Sequence, residues 1–143
     1  MRLGHSVKRA ISLGLQGNLR LAEAAITLAA AAAAIKFRSF RNAVNFGSVP
    51  LRRKIRPSIG AIDELSWSVR VIAKQVPFRA LCFEQGLALQ RMLRRRGVDA
   101  RLHYGIGKNE ANRIEAHVWI NVGDRVVIGE QGLGQFQTVA IFP

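Results

Sequence analysis

The sequence is poor in acid and nearly without cysteine. Nine Asp and Glu stand against 22 Lys and Arg, a formal net charge of +13. A single cysteine, Cys82, excludes an internal disulfide framework, so a short secreted scaffold held by bridges is ruled out and a reducing compartment is expected. Paired Cys-x-x-Cys zinc knuckles are excluded with it. A histidine-held zinc would need nearly all of His5, His103 and His117, so no metal or other cofactor is expected. Long apolar runs are also missing. The best is Ala24 to Ile35, mostly alanine and interrupted by Thr27, against about 20 strongly apolar residues for a bilayer span. Arg20 and Glu23 precede it and no clean cleavage pattern follows, so it does not read as a signal peptide. The expectation is a cytoplasmic chain with no transmembrane segment.

What is present fits one domain. At 143 residues the chain can bury a real core, with room for a small helical extension, and 49% hydrophobic residues argue against wholesale disorder. The charge is uneven. Residues 1–56 carry eleven Lys and Arg against one acid, Glu23, whereas residues 57–143 carry eleven against eight. Such a basic arm suits phosphates, an anionic membrane or an acidic protein partner, and composition does not choose among them.

Three regions follow one another. Over residues 7–46 the pattern is helical: Asn18 can cap a helix through Leu19, Ala22, Ile26, Ala29 and Ala33, and Phe37, Phe40 and Val44 continue into a second, basic helix. The breakers Gly47 and Pro50, then Arg52, Arg53, Lys54, Arg56 and Pro57, mark the internal boundary. Next, Ile62, Leu65, Val69, Ile72 and Val76 make a helical stripe ended by Pro77. A further helix opens at Leu81 or Cys82, carries Gly86, Leu89 and Leu93 on the face of Cys82, and closes with Arg94, Arg95, Arg96 and Gly97. The last region alternates. Ala100, Leu102 and Tyr104 oppose Arg101 and His103; after a loop expected over 105–113, Ala116, Val118, Ile120 and Val122 oppose Glu115, His117, Trp119 and Asn121. Gly123 and Asp124 form a hairpin turn into a strand over 125–128, and the tail is long enough for a short edge strand.

One constellation carries chemistry: a cysteine opening a helix, then a histidine on a strand, then an acid after a turn. Unpaired N–H groups and partial positive charge at a helix N-terminus favour a thiolate and can receive a developing oxyanion, for which the Cys82 backbone N–H is the candidate donor. His117 can exchange a proton with the thiol, and Glu130 or Asp124 can orient its ring.

The segment Val76-Pro-Phe-Arg-Ala-Leu-Cys82-Phe-Glu-Gln-Gly-Leu-Ala-Leu-Gln-Arg-Met-Leu-Arg-Arg-Arg-Gly97 resembles the nucleophile helix of the lasso-peptide leader peptidases, the transglutaminase-like half of the lasso biosynthesis B protein. Ala116-His117-Val-Trp119-Ile resembles that family's histidine strand, and the Leu21-Ala-Glu-Ala and Ile62 to Val76 stretches also fit, so the likeness covers about residues 18–131. The resemblance implies an α+β fold. N-terminal helices over 1–56 would pack on a papain-like or transglutaminase-like cysteine peptidase core over 57–143, a nucleophile helix with an antiparallel sheet. It implies an enzyme of the split form, which removes the leader from a ribosomally made precursor peptide. Its partners would be a separate leader-recognition protein and an ATP-using lactam synthetase. Cys82 and His117 carry over; the family's aspartate does not, since the matching stretch reads Ile128-Gly129-Glu130.

Plainer readings stand beside these. A free cysteine on a buried stripe is by default a small core residue, Asp124 is a turn former, and His103 is an exposed polar residue. Trp119 either walls the cleft or simply packs. Arg94, Arg95 and Arg96 are a solvated helix end or a contact for an acidic leader or partner. Arg52, Arg53 and Lys54 are candidates for docking the recognition protein. Two rival functions remain: a non-catalytic scaffold of a peptide-maturation complex, and a basic nucleic-acid-binding module. The second is disfavoured because the organised half is only mildly basic and has no stacking platform, so no nucleic acid is expected as a partner.

Overall fold

A computed structural model describes residues 14–143. Four helices come first: α1 (Gly14–Phe37), α2 (Phe40–Gly47), α3 (Ile59–Ala73) and α4 (Cys82–Arg95). Four strands follow, β1 (Ala100–Lys108), β2 (Ile114–Val122), β3 (Arg125–Ile128) and β4 (Phe136–Phe142), with one 3₁₀ turn (Leu133–Gln135) before the last. The sheet is antiparallel throughout, in the order β3-β2-β1-β4. The architecture is thus the expected α+β.

The core sits where α4 lies between the other helices and the sheet. Leu87, Leu89, Met92 and Leu93 of α4 are fully buried against Leu102 and Ile120 of the sheet and Leu28 and Val69 of the other helices. Ala24, Leu28, Ala31 and Ala43 from before residue 57 belong to this same cluster, so both parts of the described chain share one core. Alanine permits the close helix packing. Gly86 does the same on the sheet side: a Cβ there would lie 2.8 Å from Val118 Cγ1. The tight approach lays the first turn of α4 along β2.

Three expectations change. Asn18 does not cap α1; it is an exposed residue inside the helix, which is described from Gly14 onward. The apolar run belongs to a helix of 24 residues, long and apolar enough by length and composition to cross a bilayer. Here α1 packs on α3 and α4, burying Ala24, Thr27, Leu28, Ala31 and Ala34, while Leu15, Leu19 and Ile26 face outward. Finally, the loop expected over 105–113 is shorter, because β1 continues through Lys108. Gly105 and Gly107, inside that expected loop, are instead strand positions of close approach: a Cβ would lie 2.7 Å from the Trp119 ring and 2.1 Å from the Gln135 carbonyl, respectively. The tail does form an edge strand, β4, with Val139 and Ile141 exposed.

Candidate active site

Cys82 is the first residue of α4. A Glu at the third helical position caps this end: the buried Glu84 carboxylate accepts from Leu81 N–H at 3.0 Å and pairs with Arg79 at 3.8 Å. Satisfying the Leu81 amide through Glu84 leaves the next N–H groups of the first turn, including that of Cys82, without an intrahelical acceptor. Cys82 itself is half-buried.

A cleft of about 560 Å³ opens in front of it. Its walls bring Cys82 together with His117 from β2, Arg70 and Lys74 from the end of α3, Gln85 from α4 and Gly129 after β3. His117 is fixed on three sides. Its Nε2 lies 2.8 Å from the Gly129 carbonyl oxygen. That oxygen can only accept, so Nε2 carries a proton and, in the neutral ring, the lone pair resides on Nδ1. One face of the ring stacks on Phe136 of β4, with centroids 4.9 Å apart. Trp119 flanks it at 6.1 Å and is itself stacked on His103 at 5.5 Å.

The Gly129 carbonyl is in turn well anchored. Gly129 has φ +84°, and a Cβ there would lie 2.6 Å from Val118 O, so only glycine brings the chain this close to β2. Just before it, Val127 O accepts from the buried Ser66 hydroxyl of α3 at 2.6 Å and from Arg70 at 3.3 Å. Helix α3 thereby holds the end of β3, and β3 presents the carbonyl to the histidine.

The remaining candidates lie as follows. Glu130 makes no hydrogen bond to His117: its carboxylate accepts from Arg70 Nη2 at 2.8 Å, because the backbone turn at Gly129 offers the ring a carbonyl while the next side chain meets the guanidinium of α3. Asp124 stays exposed in the β2–β3 turn and lines a different hollow, beside Asp99 and Arg125. Trp119 is 7% exposed and absent from the cleft wall; its role is to pack the histidine row. Arg52, Arg53 and Lys54 lie by the far end of α4, with Lys54 paired to Asp99 at 3.3 Å. Burial, helped by Arg101, lowers the pKa of His103 below its ordinary value, and that residue is outside the cleft. His5 is outside the described residues. Among the described residues no cluster of His, Cys, Asp and Glu could hold a metal.

The reading of single residues missed Gly129, Ser66, Arg70 and Glu84. Glu84 had a signal, a glutamate three residues after a helix start. The role of Gly129 resides in a main-chain atom, which has no side-chain signature.

A thiol at a helix N-terminus sharing a cleft with a tautomer-fixed imidazole is an arrangement for acyl transfer. A sequence profile described as the transglutaminase-like superfamily matches residues 24–140, so the chain belongs to that superfamily, which includes cysteine peptidases. No curated protein and no solved structure shows a significant match.

Proposed function

We propose that this protein is a cysteine peptidase that removes the leader from a lasso precursor peptide, working with a separate leader-recognition protein and a lactam synthetase. The observation that carries the peptidase reading is the shared cleft of Cys82 and His117, with His117 Nε2 held by the Gly129 carbonyl. The lasso assignment rests on the resemblance of the Cys82 helix and the Ala116-His117-Val-Trp119 strand.

In this mechanism His117 Nδ1 takes the thiol proton as Cys82 Sγ attacks the scissile carbonyl. The Cys82 backbone N–H receives the developing oxyanion. Collapse of the tetrahedral intermediate expels the new amine, which takes the proton back from His117, and leaves a thioester on Cys82. Water, deprotonated by the same ring, then attacks the thioester; as the carbon–sulfur bond breaks, His117 gives that proton to the leaving sulfur, and the acid departs with the other. The Gly129 carbonyl keeps the imidazole in the useful tautomer and stabilises the imidazolium, the task a carboxylate performs in other triads. Glu130 contributes indirectly by holding Arg70 at the cleft wall.

The test is mass spectrometry of a cognate precursor incubated with the recognition protein and either this chain or its Cys82→Ala variant. One cut at the leader–core junction, absent in the variant, is expected. Equal cutting by a folded Cys82→Ala variant would sink the mechanism. No cut by the native chain with verified substrate and partner would favour the scaffold reading.

A further inference from the structure

Five arginines lie together at the end of α4 remote from Cys82. A second cleft, of about 500 Å³, lies between the 49–55 segment and the last turn of α4, and Arg52, Arg53, Arg94, Arg95 and Arg96 line it. Its frame is built. Arg94 is 7% exposed and donates through Nε to Val49 O at 2.7 Å, with Asp99 and the Ala100 carbonyl each 3.2 Å from Nη1. Ile55 N–H donates to Gly97 O at 2.9 Å, and Gly97, at φ +82°, lets the Arg53 carbonyl approach so closely that a Cβ would be 2.3 Å from it.

Within that frame two arginines are occupied and three are not. Arg94 is tied as described. Arg96 forks onto Glu23 of α1 and also covers the Met92 carbonyl at 3.0 Å, which offsets the negative end of the helix. Arg52, Arg53 and Arg95 make no side-chain hydrogen bond or close ion pair among the described residues, although the charge of Arg95 helps Arg96 lower the pKa of Glu23. The nearby acids are already engaged, Asp99 by Arg94, Lys54 and Arg101, and Glu23 by Arg96. The uncharged lining is aliphatic, Val49, Pro50 and Ile55, with no ring on which a base could stack.

We propose that this cleft is an exosite for an acidic stretch of the peptide substrate, whose carboxylates it takes on the guanidinium groups of Arg52, Arg53 and Arg95. The proposal rests on the peptidase reading. Helix α4 has 14 residues, so its two ends are about 20 Å apart. About six extended residues cover that distance, so one peptide can hold its acidic stretch here while its scissile bond reaches Cys82.

The test uses fluorescein-labelled decaglutamate and the full chain carrying Cys82→Ala, with anisotropy read at low and high salt. Binding is expected, and Arg52→Glu with Arg53→Glu and Arg95→Glu should weaken it by about tenfold or more at low salt. A second triple, Arg38→Glu with Arg41→Glu and Lys108→Glu, changes net charge equally at exposed positions elsewhere and should leave affinity within about twofold. No binding, or equal weakening by both triples, overturns the exosite. So does a labelled deca-thymidylate that binds as tightly and through the same three arginines, which would make the cleft a nucleic-acid site. In the active chain, decaglutamate should raise KM for precursor cleavage without changing kcat; an unchanged KM at saturating decaglutamate overturns the exosite. If no precursor is cleaved while decaglutamate binding persists, the peptidase reading fails, and with it the assignment of the bound peptide as substrate.

Discussion

Replacing Glu130 by Gln separates two ways of building this site. The change keeps the shape of the side chain and removes its charge. In the structure that charge faces Arg70 Nη2 at 2.8 Å, with the two side chains 39% and 45% exposed. An ion pair that open to water contributes roughly 0.2–1 kcal/mol. His117 is untouched, because its Nε2 partner is the Gly129 carbonyl. The cleavage rate should therefore fall by no more than about fivefold, since a tenfold change needs about 1.4 kcal/mol. Were Glu130 the orienting acid of a triad, its neutralisation should cost on the order of 10⁴, the size seen when a serine-protease aspartate becomes asparagine. Single-turnover cleavage of the precursor, beside a thermal melt of each protein, gives the answer. A loss near a thousandfold at an unchanged melting temperature would refute the geometry and place the carboxylate on the histidine during turnover.

Gly129→Ala attacks the carbonyl itself: φ +84° costs a residue with a Cβ about 1–2 kcal/mol, and the backbone of Val118 and Trp119 obstructs the new methyl. A lower melting temperature and a larger loss of cleavage than in Glu130→Gln should follow, and native rates in this variant would refute the latch. Ser66→Ala removes a buried 2.6 Å hydrogen bond to Val127 O and should lower unfolding free energy by about 1–2 kcal/mol in a urea titration; no change would show that β3 is held without it. Glu23 titrates below its ordinary 4.5, chiefly because Arg96 hydrogen-bonds its carboxylate, against the opposing effect of burial. A depressed carboxyl stabilises the fold above its unfolded value and loses that contribution as pH falls through the folded one. The stability gap between the native chain and Glu23→Gln should thus be constant near neutrality and shrink below about pH 4.5; a gap that widened on acidification would contradict the pairing.

Much of this fold is legible because periodicity reports burial. The stripe Ile62, Leu65 and Val69 and the alternation Val118, Ile120 face the core as their spacing requires. The helix start at Cys82 was also readable, from Pro77 upstream and the arginine-glycine end downstream. What escaped reading depends on distant neighbours. Gly105 falls in the span expected as a loop, and only the Trp119 ring over it shows why a strand needs glycine there. Glu130 and Gly129 are adjacent in sequence, and only the left-handed turn between β3 and the tail decides which of them faces His117. The aromatic row of His103, Trp119, His117 and Phe136 crosses three strands, so no local window contains it.

The last strand has a consequence for how copies of this chain meet. β4 reads Phe136-Gln-Thr-Val-Ala-Ile-Phe142, without a charge or a proline, and it is bonded to β1 on one side only. An outer edge of that kind offers unpaired N–H and C=O groups to any strand that arrives, including its own counterpart on another molecule. The strand carries one local deterrent, a register shift against β1 that leaves Val139 unpaired. The other is long-range repulsion from a net charge of +13, and it weakens as salt shortens the screening distance to about 8 Å at physiological ionic strength. Colloidal behaviour in this protein is thus governed by ionic strength, and concentrated salt is the condition under which its edges would find each other.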